Sequence, residues 1–212
     1  MHPNPIYRQT GAAQNLGFAR DRAFGILSIN GPDGPLMAHV PFLLAPDDTA
    51  LDLHLVRSNP IARALAEPQS AVIVVSGPDS YISPDWYGIT DQVPTWNYVA
   101  VHLRGTLALL PQADMRDMLD RQSAHFENML RPKQPWHTSK MTPDALDRMM
   151  RQIVPCRMTI TSVDGTWKLN QNKPDAARLR AATQVQSSAI GSDTGMLAGL
   201  MMAPPKPESA PD

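Results

Sequence analysis

The feature that most constrains this fold is a series of short apolar runs cut by turn chemistry near the start of the chain. AFGILSING (residues 23–31), LMAHVPFLL (36–44) and LDLHLVR (51–57) are separated by GPDGP and APDDT. Such breaks are turns, because Pro presets φ, Gly takes positive φ and Asp bonds its own backbone. The third run alternates, with Leu51, Leu53 and Leu55 on one face and Asp52 and His54 on the other. Three runs at this spacing predict an antiparallel meander.

Further strands follow. SAVIVVSG (70–77) is rich in β-branched residues and predicts a buried strand. Residues 96–110 predict one long strand with Gly105 as a bulge, and CRMTITSVDG (156–165) a last strand turning at Asp164 and Gly165. Helices are predicted at 12–22, with Leu16 and Phe18 as buried positions, and from Pro60, with Asn59 as its cap. Two more are predicted at 112–130 and at 143–153, the latter behind Thr142. One short helix interrupts the first four strands. That pattern argues for a mainly β fold with flanking helices, an antiparallel barrel and not a βαβ sheet. Residues 175–200 are predicted helical in pieces, and the Pro-rich end, 203–212, disordered.

Composition narrows the function classes. A chain of 212 residues with 42% hydrophobic content has enough apolar material for one core-bearing domain with or without an appendage. A net charge of -1 gives no electrostatic case for nucleic acid. The apolar runs are too short for a membrane span or a signal h-region, so no membrane association is expected. The single Cys156 excludes an internal disulfide framework, fits a cytoplasmic location and is expected to be buried and inert. No GxGxxG opening a βαβ unit, P-loop, GxSxG or metal-spaced histidine pair is present, so neither a catalytic set nor a metal site is nominated.

Four stretches carry chemistry. Residues 77–105, GPDSYISPDWYGITDQVPTWNYVAVHLRG, hold three of the four tyrosines and two of the four tryptophans. Rings interleaved with small polar groups suit a pocket wall for a flat polar ligand, and equally a rigid loop between two strands. In LVRSNPIARAL (55–65) a strand ends in Arg57 where a helix begins. Arg57, Ser58 and the free N–H groups of the first turn suit a phosphate monoester, and equally an ordinary cap beside a surface arginine. In MAHVPF (37–42), Pro41 cannot donate to a ladder, so this strand is an edge or faces a ligand there. His39 on the same face also reads as a satisfied core histidine. In TWKLNQNKP (166–174), Lys168 and Lys173 bracket Asn170, Gln171 and Asn172, suiting a phosphate, a pyrimidine-like edge or a polar loop.

HVPFLL, HLVRSNP, GPDSYISPDWY, VPTWNYVAVHLRG and WKLNQNKP, in this order, resemble the PaiB-type FMN-binding family. The resemblance runs from PNPIYR to about Pro174. It implies a six-stranded antiparallel split β-barrel over residues 1–174, related to pyridoxamine-phosphate oxidases, with a helical insertion at about 112–153. A tail at 175–212 departs from the family pattern. It also implies a homodimer with FMN at the subunit interface. Carried over by motif, Arg57, Ser58 and Asn59 meet the phosphate, and Ala38, His39, Val40 and Pro41 run beside the isoalloxazine. Tyr81, Ser83, Trp96 and Asn97 come from the same wall or the partner subunit, and Lys168, Asn170 and Gln171 close the site. The functions implied are a flavin-dependent oxidoreductase or a regulator acting through bound flavin. The family carries a label as negative transcriptional regulators, yet no helix-turn-helix is evident, and residues 131–140 form the one basic loop. Haem binding, known among split-barrel relatives, would need an axial ligand from His39, His54, His102, His125 or His137.

Overall fold

The computed structural model describes residues 2–207; the last five residues of the segment expected to be disordered lie outside the described residues. In chain order the elements are α1 (Ala12–Arg22), β1 (Phe24–Gly31), β2 (Gly34–Leu44), β3 (Ala50–Val56), α2 (Pro60–Ala64), β4 (Gln69–Ile82) and β5 (Thr95–Leu109). There follow α3 (Met115–Met129), α4 (Pro143–Met150), β6 (Ile153–Lys168), α5 (Asp175–Val185), β7 (Gly191–Ser192) and α6 (Thr194–Met202). The strand order is β1-β2-β3-β6-β5-β4-β7, and β1 also pairs with β4. The six long strands therefore close on themselves as a mainly antiparallel barrel with flanking helices, as the alternation predicted. None of the helices among the described residues is long and apolar enough to cross a membrane.

Two compact units divide the chain. One comprises Arg20–Ile73 and Leu103–Ser162. Its core is the inward face of β1–β3, with Leu27, Phe42, Leu51 and Leu53 fully buried, closed by Met115 and Met118 of α3. The other comprises Met1–Ala19, Val74–His102 and Val163–Asp212. There Phe18 of α1 meets Trp167 of β6 edge to face, centroids 5.5 Å apart. Tyr87, Leu197 and Met201 are fully buried. Leu16, expected beside Phe18 in the core, is half-buried, and Asn15 takes the buried position instead.

Three departures from the sequence reading have physical causes. Asp164 and Gly165 make no turn: β6 runs through them to Lys168. A Cβ at Gly165 would lie 2.1 Å from Asn15 Oδ1, which accepts the indole N–H of Trp167 at 2.8 Å. The glycine is there for close approach to α1. Strand β4 continues past Gly77 to Ile82, with the buried positions switching phase at Pro78 and running on through Ser80 and Ile82. Asp52, set by the alternation on the face away from Leu51, Leu53 and Leu55, is nevertheless buried. Its register partner across β3 and β6 is Arg157, which binds the carboxylate with two bonds of 2.7 and 3.0 Å, and Arg121 of α3 adds a third of 3.0 Å. Gln122 Nε2 donates to Asp52 O at 3.4 Å and its Oε1 meets His54 Nδ1 at 3.0 Å, so α3 is fixed to β3 by a polar chain. Cys156 is buried as expected, and burial pushes its thiol up to about 12.

Two outcomes follow. A Cβ at Gly105 would lie 1.9 Å from the backbone oxygen of Thr159, so Gly105→Ala must push β5 from β6, at a cost of about 3 kcal/mol in chemical denaturation. Burial raises the Asp52 carboxyl, but the bonds and charges of Arg157 and Arg121 outweigh it and hold the group below the usual carboxylate range. Its contribution is therefore complete above the unfolded-state value, near pH ~4, and is lost as pH falls through the lower folded value. Asp52→Asn lowers stability by about 1–3 kcal/mol at neutral pH, and its gap to wild type narrows as pH falls below about 4. A gap that stays constant over that range would rule out the charged pairing.

Candidate functional site

Within the unit that holds β2 and β3, the ladder between these strands is short. β2 pairs with β1 along its length, from Phe24↔Pro41 to Gly31↔Gly34. With β3 it pairs at Phe42↔Leu53, Leu43↔Asp52 and Leu44↔Leu51, and there the ladder stops. Continuing that register sets His39 opposite Val56, beyond the last ladder pair. Phe42 N–H donates to Ala23 O at 2.9 Å, which fixes the alternation. Ala38 and Val40 turn their backbone groups to β1, Pro41 C=O accepts the last ladder bond from His54 N–H, and His39 N–H and C=O face the open edge. Pro41 has no N–H to leave unpaired there, which answers why a proline is tolerated.

The side chains agree with an outward face. His39 is exposed and stacks on Phe24 with centroids 6.4 Å apart, so it is not a core histidine. Val40 points into the core, and Ala38 and Pro41 are half-buried. At the end of β3, Arg57 is held in place by protein: its Nε donates to Arg151 O at 3.0 Å, and Nη2 donates to Gln112 Oε1 at 2.9 Å and Ile153 O at 3.3 Å. Nη1 takes part in none of these bonds. Asn59 Oδ1 accepts Ile61 N–H at 2.9 Å and caps α2, as the sequence predicted, and Ser58 is exposed.

The other unit holds the remaining candidates. Tyr81 and Trp96 meet edge to face at 6.4 Å, with Trp96 47% exposed. Ser83 precedes the 3-10 turn Pro84–Tyr87 and makes no capping bond with its side chain. Lys168 Nζ donates to Thr95 Oγ1 at 2.5 Å and lies 5.9 Å from the centre of the Tyr7 ring. Desolvation lowers the lysine's pKa, and no carboxylate pairs with it among the described residues. Gln171 is spent on its own turn, accepting from Leu169 N–H at 2.7 Å and donating to Trp167 O. Asn97 and Asn170 are buried, 0% and 1% exposed, so in this conformation neither offers a surface to a ligand. Asn97 Nδ2 donates to Met201 Sδ at 3.4 Å, and Asn170 Oδ1 accepts from Tyr87 O–H at 3.3 Å. Their other ends, Asn97 Oδ1 and Asn170 Nδ2, have no partner. Each such orphan costs about 1–3 kcal/mol, which marks both amides as more than packing.

The sequence reading missed the residues that hold these amides down. Arg180 donates from Nε to Tyr87 O at 2.9 Å, and Arg178 from Nη1 to Met202 O at 3.1 Å and to Met201 O. The signal was present as DAARLRAA, two arginines in a small-residue helix, but nothing local says which carbonyls they seek.

Comparison with known proteins places this geometry. Residues 1–162 match the family model described as "Putative FMN-binding domain". The chain is 26% identical over 193 residues to "Protease synthase and sporulation protein PAI 2" of Bacillus subtilis (strain 168), covering 88% of this chain and 90% of that one. Among solved structures it is similar to the FAD and haem binding protein from Mycobacterium smegmatis, with a TM-score of 0.59 and 15% identity over 88% of this chain and 83% of that chain. It is also similar to the conserved hypothetical protein Rv2991 from Mycobacterium tuberculosis, with a TM-score of 0.55 and 14% identity over 82% and 94% of the two chains. These two likenesses concern the fold. The family match over three quarters of the sequence, on a split barrel with an open strand edge, establishes that this chain belongs to the FMN-binding domain family.

Proposed function

We propose that the protein is a homodimeric FMN-binding protein whose activity resides in the bound flavin. The observation that carries this reading is the open edge of β2. An unpaired strand edge presenting His39 N–H and His39 C=O offers one donor and one acceptor to the polar rim of a flat heterocycle. The same unit supplies Arg57, whose Nη1 is outside its protein bonds, and the exposed hydroxyl of Ser58 beside the cap Asn59. This donor set fits a flavin mononucleotide: cationic and hydroxyl donors for a dianionic phosphate, and backbone groups for the ring. Tyr81, Trp96, Ser83 and Lys168 are further proposed contacts from motif and exposure. Asn97 and Asn170 join them only in a conformation that uncovers them.

Bound FMN supplies one- and two-electron redox chemistry. The chain's own residues bind and orient it, in keeping with the absence of a nominated acid–base set. An oxidoreductase role and a regulatory role both run through this flavin. The name of the Bacillus subtilis relative points to control of protease synthesis and sporulation, and a comparable role here would act through flavin occupancy. The overall charge of -1 supplies no attraction to DNA.

The dimer rests on the outer face of the β1–β2 hairpin. Met37 and Phe24 are 63% and 50% exposed there and flank His39. Exposed apolar side chains on one face of a hairpin are surface that a second copy would cover.

Two measurements test this reading. Wild-type protein titrated with FMN and with riboflavin binds both, and Arg57→Ala weakens FMN by about tenfold or more while riboflavin changes little. Equal loss for both ligands would reduce Arg57 to a brace between β3 and β6. Met37→Glu shifts the protein from dimer to monomer in sedimentation at micromolar concentration. A wild type that sediments as a monomer would refute the dimer.

A further inference from the structure

We infer that α6 is a displaceable cover over Asn97, and that FMN binding competes with its closed position; this rests on the flavin reading above. Three observations in one unit carry it. Asn97 is fully buried beneath Met201 of α6, with Nδ2 donating to Met201 Sδ at 3.4 Å and Oδ1 unpaired. A thioether is a poor acceptor, so the amide is under-satisfied at both ends. An amide in that state gains on meeting a ligand with complementary groups, and the motif that contains it is one of those matched to the flavin-binding family.

The helix itself is weak. α6 is nine residues long, TGMLAGLMM, with Gly195 and Gly199 in its interior. A Cβ at either glycine would meet nothing within 4 Å, so packing does not demand them. Glycine at such positions lowers helix stability without a steric return. Its contact face is Leu197, Ala198 and Met201, and the thioether side chain of Met201 repacks readily. Its hold on the rest of the unit is specific: the Arg178 guanidinium of α5, 8% exposed, donates to Met201 O and Met202 O and pairs with Asp175 at 2.8 Å. Removing that grip frees the end of α6 that carries Met201. A short, glycine-bearing helix with three buried apolar side chains, held at its end by one arginine and seated on an unsatisfied amide, has the properties of an element that opens locally.

The cover makes opposite predictions for two variants. Gly195→Ala with Gly199→Ala strengthens α6 and keeps the fold, so FMN binds about three- to tenfold more weakly. Arg178→Ala loosens α6, so FMN binds tighter by a similar factor. In wild type, FMN speeds amide exchange across residues 194–202, a readout that does not depend on either variant folding. Unchanged FMN affinity in the alanine pair, or exchange across 194–202 that FMN leaves unchanged or slows, overturns the cover while leaving flavin binding intact. Absence of FMN binding in wild type and variants alike would instead overturn the flavin reading and the cover with it.

Discussion

The early end of the β2–β3 ladder is the constraint on which the rest of the account depends. Every strand in a closed barrel must satisfy both edges, and β2 does so against β1 from Gly34 to Pro41 but against β3 over only three residue pairs, Phe42 to Leu44. Beyond that ladder the N–H and C=O of His39 need another partner. The sequence adds no unpaired donor at position 41, which is a proline, and the flavin rim is the proposed partner for His39. β3 cannot follow β2, because its register with β6 holds it from Ala50 to Val56, and the Asp52–Arg157 pair pins that register. The polar chain from Asp52 through Gln122 to His54 then ties α3 to the same strand.

Much of this was legible in the sequence, for reasons that can be named. The meander β1–β3 was readable because its turns are made by Gly, Pro and Asp and its core face by alternation. The Asn59–Pro60 helix start was readable because capping is local. The buried Asp52 was not, because its partners lie 105 and 69 positions away. The strand character of Asp164 and Gly165 was hidden for the same reason: Gly165 answers to Asn15, not to its neighbours in sequence.

The candidate site divides along the same line. Arg57, Ser58, Asn59 and the 38–41 segment could be nominated from sequence because each sits beside a local signal, a helix start or an in-strand proline. Pattern alone did not say which of the four β2 residues open outward; the hydrogen bond of Phe42 to Ala23 decides that. Asn97, Asn170 and Gln171 were named by motif, and the structure gives all three intramolecular partners. For the two asparagines the partnering is incomplete, which separates them from Gln171, whose amide is fully used by its own turn.

The most direct measurement of the central claim is hydrogen exchange at the His39 amide, followed by NMR with and without flavin. The open edge predicts rapid exchange in the free protein, beside slow exchange at Ala38 and Val40, and marked protection of His39 when FMN or riboflavin is added. A His39 amide already protected without flavin, or one that stays unprotected while flavin is demonstrably bound, would contradict the proposal that the ring sits against this strand.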